Sequence, residues 1–273
     1  MEEIRHALRV GRYKAPVSHG IGLELYKANR MTCALPRMRY TWRKLSPRNK
    51  EEGVIVCLPK ISGLKKPNDL RPLIKLNADY ILLARILETR LRPLLAEQLQ
   101  TTKFCGVPGN TILEAVATVR EAIAQAEEKR SPTCVLSLDF KEVFDRISHQ
   151  YLFTLLQSYG LSDWFIYRVR SVYAIAFSLL QINGHIAGPI PIRCSIRQEC
   201  SMSLVLFSLC INTLLKLPDT NLVGVCLGRS SRRTAVVTYT DDVSIVVTKA
   251  NEFRVIRDAV RLYEEASESY LYV

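Results

Sequence analysis

Two β-branched runs, Ala235–Tyr239 and Val243–Val247, are separated only by Thr240-Asp241-Asp242. So short a link between strand-like segments forces a hairpin, and this one carries two carboxylates at its tip. A third apolar run, Thr133–Leu138, ends directly in Asp139. Acids seldom finish hydrophobic strands without a partner, because burying a bare carboxylate is costly. Adjacent Asp241 and Asp242 repel each other unless a cation lies between them and a third ligand. If Asp139 arrives on the neighbouring strand, three oxygen-donor side chains can hold two hard divalent ions. Mg²⁺ suits such a site, since it keeps waters and substrate phosphates in its shell. Two ions about 3.5–4 Å apart stabilise both the attacking and leaving oxygens of an in-line phosphoryl transfer. Taken singly, each feature has an ordinary explanation. Asp is a common turn residue, and a strand-end Asp often caps a helix. An aromatic-x-Asp-Asp string arises by chance in roughly one chain in twenty of this size.

The rest of the chain supplies a mixed order of elements. Residues 1–50 read as irregular, interrupted by Pro16, Pro36 and Pro47. Gly53–Lys60 reads as a strand and Ile61–Asp69 as a loop. Helical spacing runs from Leu76 to Leu99, with Pro93 expected to kink or divide it. Thr111 and Glu114 form a capping-box pattern. A helix is expected from about Ser148 to Tyr159, stopped by Gly160. Asn183-Gly184 marks a hairpin. Met202–Leu217 reads as a buried helix, and Asn251 as the cap of a last helix over 252–268. No internal repeat or low-complexity segment appears. Strands from distant segments with helices between them indicate an α+β arrangement rather than an alternating parallel sheet.

Charge narrows the partner. The chain of 273 residues has a formal net charge of +12, and residues 1–75 alone hold 17 Lys+Arg against 6 Asp+Glu. A basic N-terminal third fits a polyanion such as nucleic acid or a nucleotide triphosphate, or else a solvated basic arm. Hydrophobic residues make up 48%, which excludes a disordered chain. No uninterrupted apolar run approaches a membrane span. Met1 is followed by Glu2, Glu3, Arg5 and His6 instead of an apolar leader, so an intracellular setting, nuclear or cytoplasmic, is expected. The eight cysteines include no Cys-x-x-Cys pair, which points to free thiols rather than zinc.

Read in order, six segments resemble the reverse transcriptase of LINE-type (non-long-terminal-repeat) retrotransposons. They are LPK at 58–60, RPL at 71–73 with Leu76-Asn77, FCGVPG at 104–109, LSLDFKEVFDRI at 136–147, RQECSMS at 197–203 and YTDDVSIVV at 239–247. The resemblance implies a right-hand polymerase. Its fingers would occupy 51–135 and its palm 136–273, after a basic N-terminal segment at 1–50, with the thumb absent. An antiparallel palm sheet would carry the carboxylates, with helices packed on it. The implied metal-binding acids are Asp139, Asp241 and, in support, Asp242, holding two Mg²⁺ or Mn²⁺ ions. Lys60 and Arg71 match the cations that hold the incoming triphosphate. Phe144 matches the aromatic that stacks under the sugar and clashes with a 2′-hydroxyl; as a plain sequence position it reads equally as a core residue. Gln198 matches the polar residue of the template–nucleotide pocket, and Tyr239 the aromatic before the paired acids. The implied partners are an RNA template, a DNA primer and deoxynucleoside triphosphates, with no membrane and no obligate protein partner.

The chain also departs from that pattern. Glu199 stands where the family has Gly, and Ser201 and Leu204 where it has Pro. Val17 and His19 replace the usual Gly and Asp, and Thr240 the usual Ala. A side chain and a negative charge at 199 weaken a triphosphate site. Two expectations follow: an RNA-directed DNA polymerase domain, or a decayed or repurposed fragment that at most binds nucleic acid. A basic module unrelated to polymerases explains the charge but not the ordered motifs.

Overall fold

The computed structural model describes residues 2–10, 52–59, 66, 69–98, 111–140, 143–173, 176–192, 194, 196, 200–226 and 233–271. They divide into two compact units, each drawn from two stretches of sequence: 1–90 with 153–203, and 91–152 with 204–273. Compactness thus cuts the chain differently from a linear split at residue 135.

The first unit is built on a four-stranded sheet of order β2-β1-β4-β5. Its strands are β1 (Glu52–Pro59), β2 (Leu70–Lys75), β4 (Ala176–Ile182) and β5 (His185–Ile192). β1 pairs antiparallel with β2, through Cys57 opposite Pro72, and parallel with β4, through Val54 opposite Leu179. Gly53 sits where strands crowd: a Cβ there would meet Ile74 Cγ2 at 2.6 Å. β4 and β5 join through Asn183 (φ 49°) and Gly184 (φ 83°), the paired left-handed turn that Asn-Gly predicts. β2 is a strand that pattern reading missed, because Pro72 argues against one. It is tolerated because β2 lies at the sheet edge, where proline's missing donor costs no ladder bond. Pro189 and Pro191 sit on the other edge strand, β5.

Helix α1 (Glu2–Val10) corrects the expectation of an irregular N-terminus. Ile4, Ala7 and Leu8 form an apolar stripe against Ala78, Leu82 and Ile86 of α2 (Ala78–Gln98). Arg90 clips the two helices together, donating from Nε and one terminal nitrogen to both oxygens of Glu3 at 2.9 Å. That fork-on-fork contact holds the Glu3 carboxyl below its ordinary range. α2 continues past Pro93 without dividing.

The second unit carries a three-stranded antiparallel sheet of order β3-β9-β8, from β3 (Cys134–Leu138), β8 (Val236–Tyr239) and β9 (Asp242–Val247). Helix α3 (Ile112–Glu128) opens with the expected capping box. The Thr111 N–H donates to Glu114 Oε2 at 2.6 Å, and the Glu114 N–H to Thr111 Oγ1 at 3.3 Å. Its buried face is small, Ala115, Ala122 and Ala126, so it lies close; Ala122 packs with Val225 and Val246. The short α4 (Val143–Arg146) precedes α5 (His149–Ser158), and Gly160 (φ 75°) stops the chain's helical course as expected. In the first unit, α6 (Asp163–Tyr173) is a helix the sequence reading did not mark.

Helix α7 (Ser201–Asn221) is apolar on every side, and Phe207, Leu209, Cys210 and Leu215 are fully buried. It is the one described helix long and apolar enough to cross a membrane, but 72% of that window is buried inside the protein, which accounts for its composition. Burial pushes the Cys210 thiol far above its ordinary range. Beyond α7 come a two-stranded ribbon, β6 (Val225–Cys226) with β7 (Arg233–Thr234), and the last helix, α8 (Glu252–Ser267).

Candidate active site

The hairpin β8–β9 forms as its sequence requires. Tyr239 pairs with Asp242, leaving a two-residue turn of Thr240 and Asp241. Asp242 is therefore the first residue of β9 rather than part of the turn. Thr240 adopts φ 57°, a left-handed conformation that a β-branched residue rarely takes and that costs about 1–3 kcal/mol. The strain sits directly beside Asp241.

Asp139 reaches the same sheet end by pairing across more than a hundred residues. β3 and β9 pair with Leu138 opposite Val243. Continuing that register by one residue sets Asp139 opposite Asp242. Alternation turns Asp139 outward between buried Leu138 and Phe140. Phe140 is anchored twice: its ring meets that of Tyr263 edge-on at 5.7 Å, and its backbone bridges to Leu271. Tyr151 supports Tyr263 with a second edge-on contact, while its hydroxyl is 2.6 Å from Thr213 Oγ1. This aromatic stack fixes the chain immediately after Asp139.

Asp139 and Asp242 are exposed, and Asp241 is half-buried. Burial raises the Asp241 carboxyl above its ordinary range, and the charges of Asp242 and Asp139 raise it further, against a lowering by its own backbone N–H. Asp241 therefore feels the charge of both other acids at one sheet end. Among the described residues, no three His, Cys, Asp or Glu side chains are gathered closely enough to form a ready metal cage. The donor set nonetheless suits a hard divalent cation, because all its atoms are carboxylate oxygens and their mutual repulsion is what a cation relieves.

The other expected residues are placed as follows. Phe144, on α4, is half-buried with its ring 4.6 Å from that of Phe207. Tyr239 is half-buried at the end of β8. Arg71 lies in β2 opposite Leu58, with its side chain outside the described residues. Lys60, Gln198 and Glu199 also lie outside the described residues.

Pattern reading passed over a heavily hydrogen-bonded acid of this unit. Asn251 was expected to cap α8, but its side chain makes no capping bond. Glu252 ties the region together instead. Its carboxylate, 4% exposed, accepts from the backbone N–H groups of Val223 at 2.8 Å, Thr248 at 2.7 Å and Lys249 at 3.1 Å. Burial alone would raise this carboxyl, but those three donors and the Thr248 hydroxyl outweigh it and hold it below the ordinary range. A Glu at the start of a helix gave a weak sequence signal; its donors come from segments that only the fold brings together.

Comparison with known proteins agrees with the sequence resemblance. Residues 62–271 match the family model described as reverse transcriptase (RNA-dependent DNA polymerase). The chain is 29% identical over 274 residues to the transposon TX1 uncharacterized 149 kDa protein of Xenopus laevis, covering 98% of this chain and 21% of that protein. It is 23% identical over 247 residues to the Pol polyprotein of a type-1 R2 retrotransposable element from Popillia japonica, covering 90% of this chain and 34% of that one. It thus spans about a fifth to a third of these relatives. Telomerase from Candida albicans, solved with a TWJ fragment of telomeric RNA, superposes with a TM-score of 0.58 at 12% identity, over 82% of this chain and 41% of that one. Apo telomerase from Candida tropicalis gives 0.56 at 12%, over 80% and 48%. These likenesses show a polymerase fingers–palm fold. The match to the family model over most of the chain, with retrotransposon proteins as relatives, establishes that the chain belongs to the reverse transcriptase family, in its LINE-type, non-long-terminal-repeat branch.

Proposed function

We propose that this chain is the fingers and palm of an RNA-directed DNA polymerase that adds deoxynucleotides to a primer 3′-hydroxyl on an RNA template. The observation that supports it is the convergence of three carboxylates at one end of an antiparallel sheet, where Asp241 is raised by burial and by its neighbours' charges. The family generally uses divalent metal ions. In this reading Asp139 and Asp241 hold two such ions, with Asp242 in support. Bound magnesium makes the primer hydroxyl more acidic and neutralises charge on the α-phosphate and the departing pyrophosphate.

The chain's own residues contribute positioning and charge. Lys60 and Arg71 are the cations expected to hold the triphosphate, Arg71 as a bidentate clamp. Phe144, steadied by Phe207, lies five residues beyond Asp139 and is the candidate to stack under the sugar. Gln198 is the residue expected to serve the template–nucleotide pocket, and Tyr239 holds the register of the acid-bearing turn. Sequence comes from template pairing, so no base-reading side chain is required.

Primer extension on a primed homopolymer RNA template with Mg²⁺ tests the reading. Extension by the purified chain and its loss in Asp241→Asn support it. Equal extension by both proteins overturns the site assignment. No extension by either favours the inactive fragment. Phe144→Ala should raise ribonucleotide incorporation; unchanged sugar selection removes Phe144 from the site and leaves it as a core residue.

A further inference from the structure

At the opposite end of the acid-bearing sheet lies a pocket of about 310 Å³. Cys134 pairs with Val247, so the start of β3 and the end of β9 meet there. Six strand residues at about 3.3 Å each put it roughly 20 Å from Asp242. The loop before β3 provides one wall, with Ser131 and Thr133, and the C-terminus of α3 another, with Lys129. Lys249 and Arg233 complete the cationic lining. Gly224 (φ 62°) lets the floor approach β7, since a Cβ there would lie 2.7 Å from the Thr234 carbonyl oxygen.

The surroundings give this pocket one chemistry. Three cations line it and no Asp or Glu does. Glu252, whose partners include the lining residues Val223, Thr248 and Lys249, has its oxygens engaged by their N–H groups, so it is already satisfied. The final carbonyls of α3 are likewise occupied: Gln125 O by the Lys129 N–H, Glu127 O by Arg130 and Ala126 O by Ser131. They therefore do not present a bare negative helix end. Thr133 lines the pocket, and its Oγ1 is withdrawn from solvent with no hydrogen-bond partner among the described residues. The volume exceeds what a bare phosphate needs and suits a nucleotide-sized group.

We propose that this pocket is a second anion site, taking the phosphate of a nucleotide unit, free or within an RNA chain. It lies apart from the acidic centre and does not depend on the polymerase reading. Lys129, Lys249 and Arg233 neutralise the phosphate, and Ser131 and Thr133 supply hydroxyl donors.

Cys226 lines the pocket and is half-buried, whereas Cys194 is exposed and outside it. Alkylation of each thiol in the full chain, followed by peptide mass spectrometry in metal-free buffer, reports occupancy directly. The probes are adenosine monophosphate and a short oligouridine. At about ten times Kd, occupancy should slow Cys226 about tenfold and leave Cys194 unchanged. Protection by adenosine monophosphate identifies a free nucleotide as the source; protection by oligouridine alone identifies the RNA backbone. Either supports the site, provided that Lys129→Ala with Lys249→Ala abolishes protection and the paired Arg substitutions retain it. No protection by either probe, equal slowing of Cys194, or protection that survives the double Ala change overturns the proposal. Asp241→Asn should leave protection intact, so failure of the polymerase reading and failure of this one are told apart.

Discussion

The two ends of β9 treat a carboxylate in opposite ways. At its start, Asp241 is half-buried among like charges and raised. Past its end, Glu252 is buried yet lowered, because three backbone N–H groups and a hydroxyl meet it. Burial alone does not distinguish them; the partners do. An acid whose donors are supplied by the fold serves the fold. An acid raised by its neighbours' charges, in a strained turn, is what the proposed metal-holding role asks for.

Four measurements can break or sharpen that contrast. The largest effect belongs to Asp241→Asn, which should cut primer extension by on the order of 10²–10³-fold or more while leaving the far-ultraviolet spectrum unchanged. Glu252→Ala should do the reverse. It leaves three part-buried backbone donors without their acceptor and should cost about 1–3 kcal/mol of unfolding free energy in urea, with any loss of activity following stability. Third, Mg²⁺ should raise the melting temperature of the wild-type chain and leave Asp241→Asn unmoved, since only an ion bound to the folded state shifts the equilibrium. A similar rise in both proteins would separate Asp241 from the metal.

The smallest effects are in pH dependence. Glu252 has a lowered carboxyl, so its contribution is complete above the ordinary carboxylate value of about 4.3 and is lost as pH falls through its folded value. The stability gap between wild type and Glu252→Gln should therefore narrow in acid. Asp241 has a raised carboxyl, so the stability tied to its protonation is present below about 3.9 and lost as pH rises through its folded value. Asp241→Asn should accordingly be slightly the more stable protein at neutral pH, by less than the Glu252 loss, and the difference should vanish in acid. A gap that instead widens in acid would reverse the roles assigned to these two side chains.

What could be read in advance was local. Alternation around Asp241-Asp242, the Thr111–Glu114 box and Asn183-Gly184 each specify their structure within a few residues, and each formed. Expectations failed where a tertiary partner decides. Pro72 spoke against β2 until β1 placed it at an edge. Nine residues of α1 carried too short a stripe to stand out from a basic tail until α2 covered it. Asn251 yielded to Glu252 because Val223 is brought up from 29 residues away. The approach of Asp139 to Asp242 was a conjecture from sequence and became a register only through the pairing of Leu138 with Val243. The basic pocket had no signature at all, since its three cations come from three separate segments.

The prolines of β2 and β5 have an effect beyond this chain. Both flanks of that sheet lack a full run of free donors, so a second molecule drawing alongside finds no template to copy. Edge-to-edge pairing of nascent chains along these two borders is thereby disfavoured.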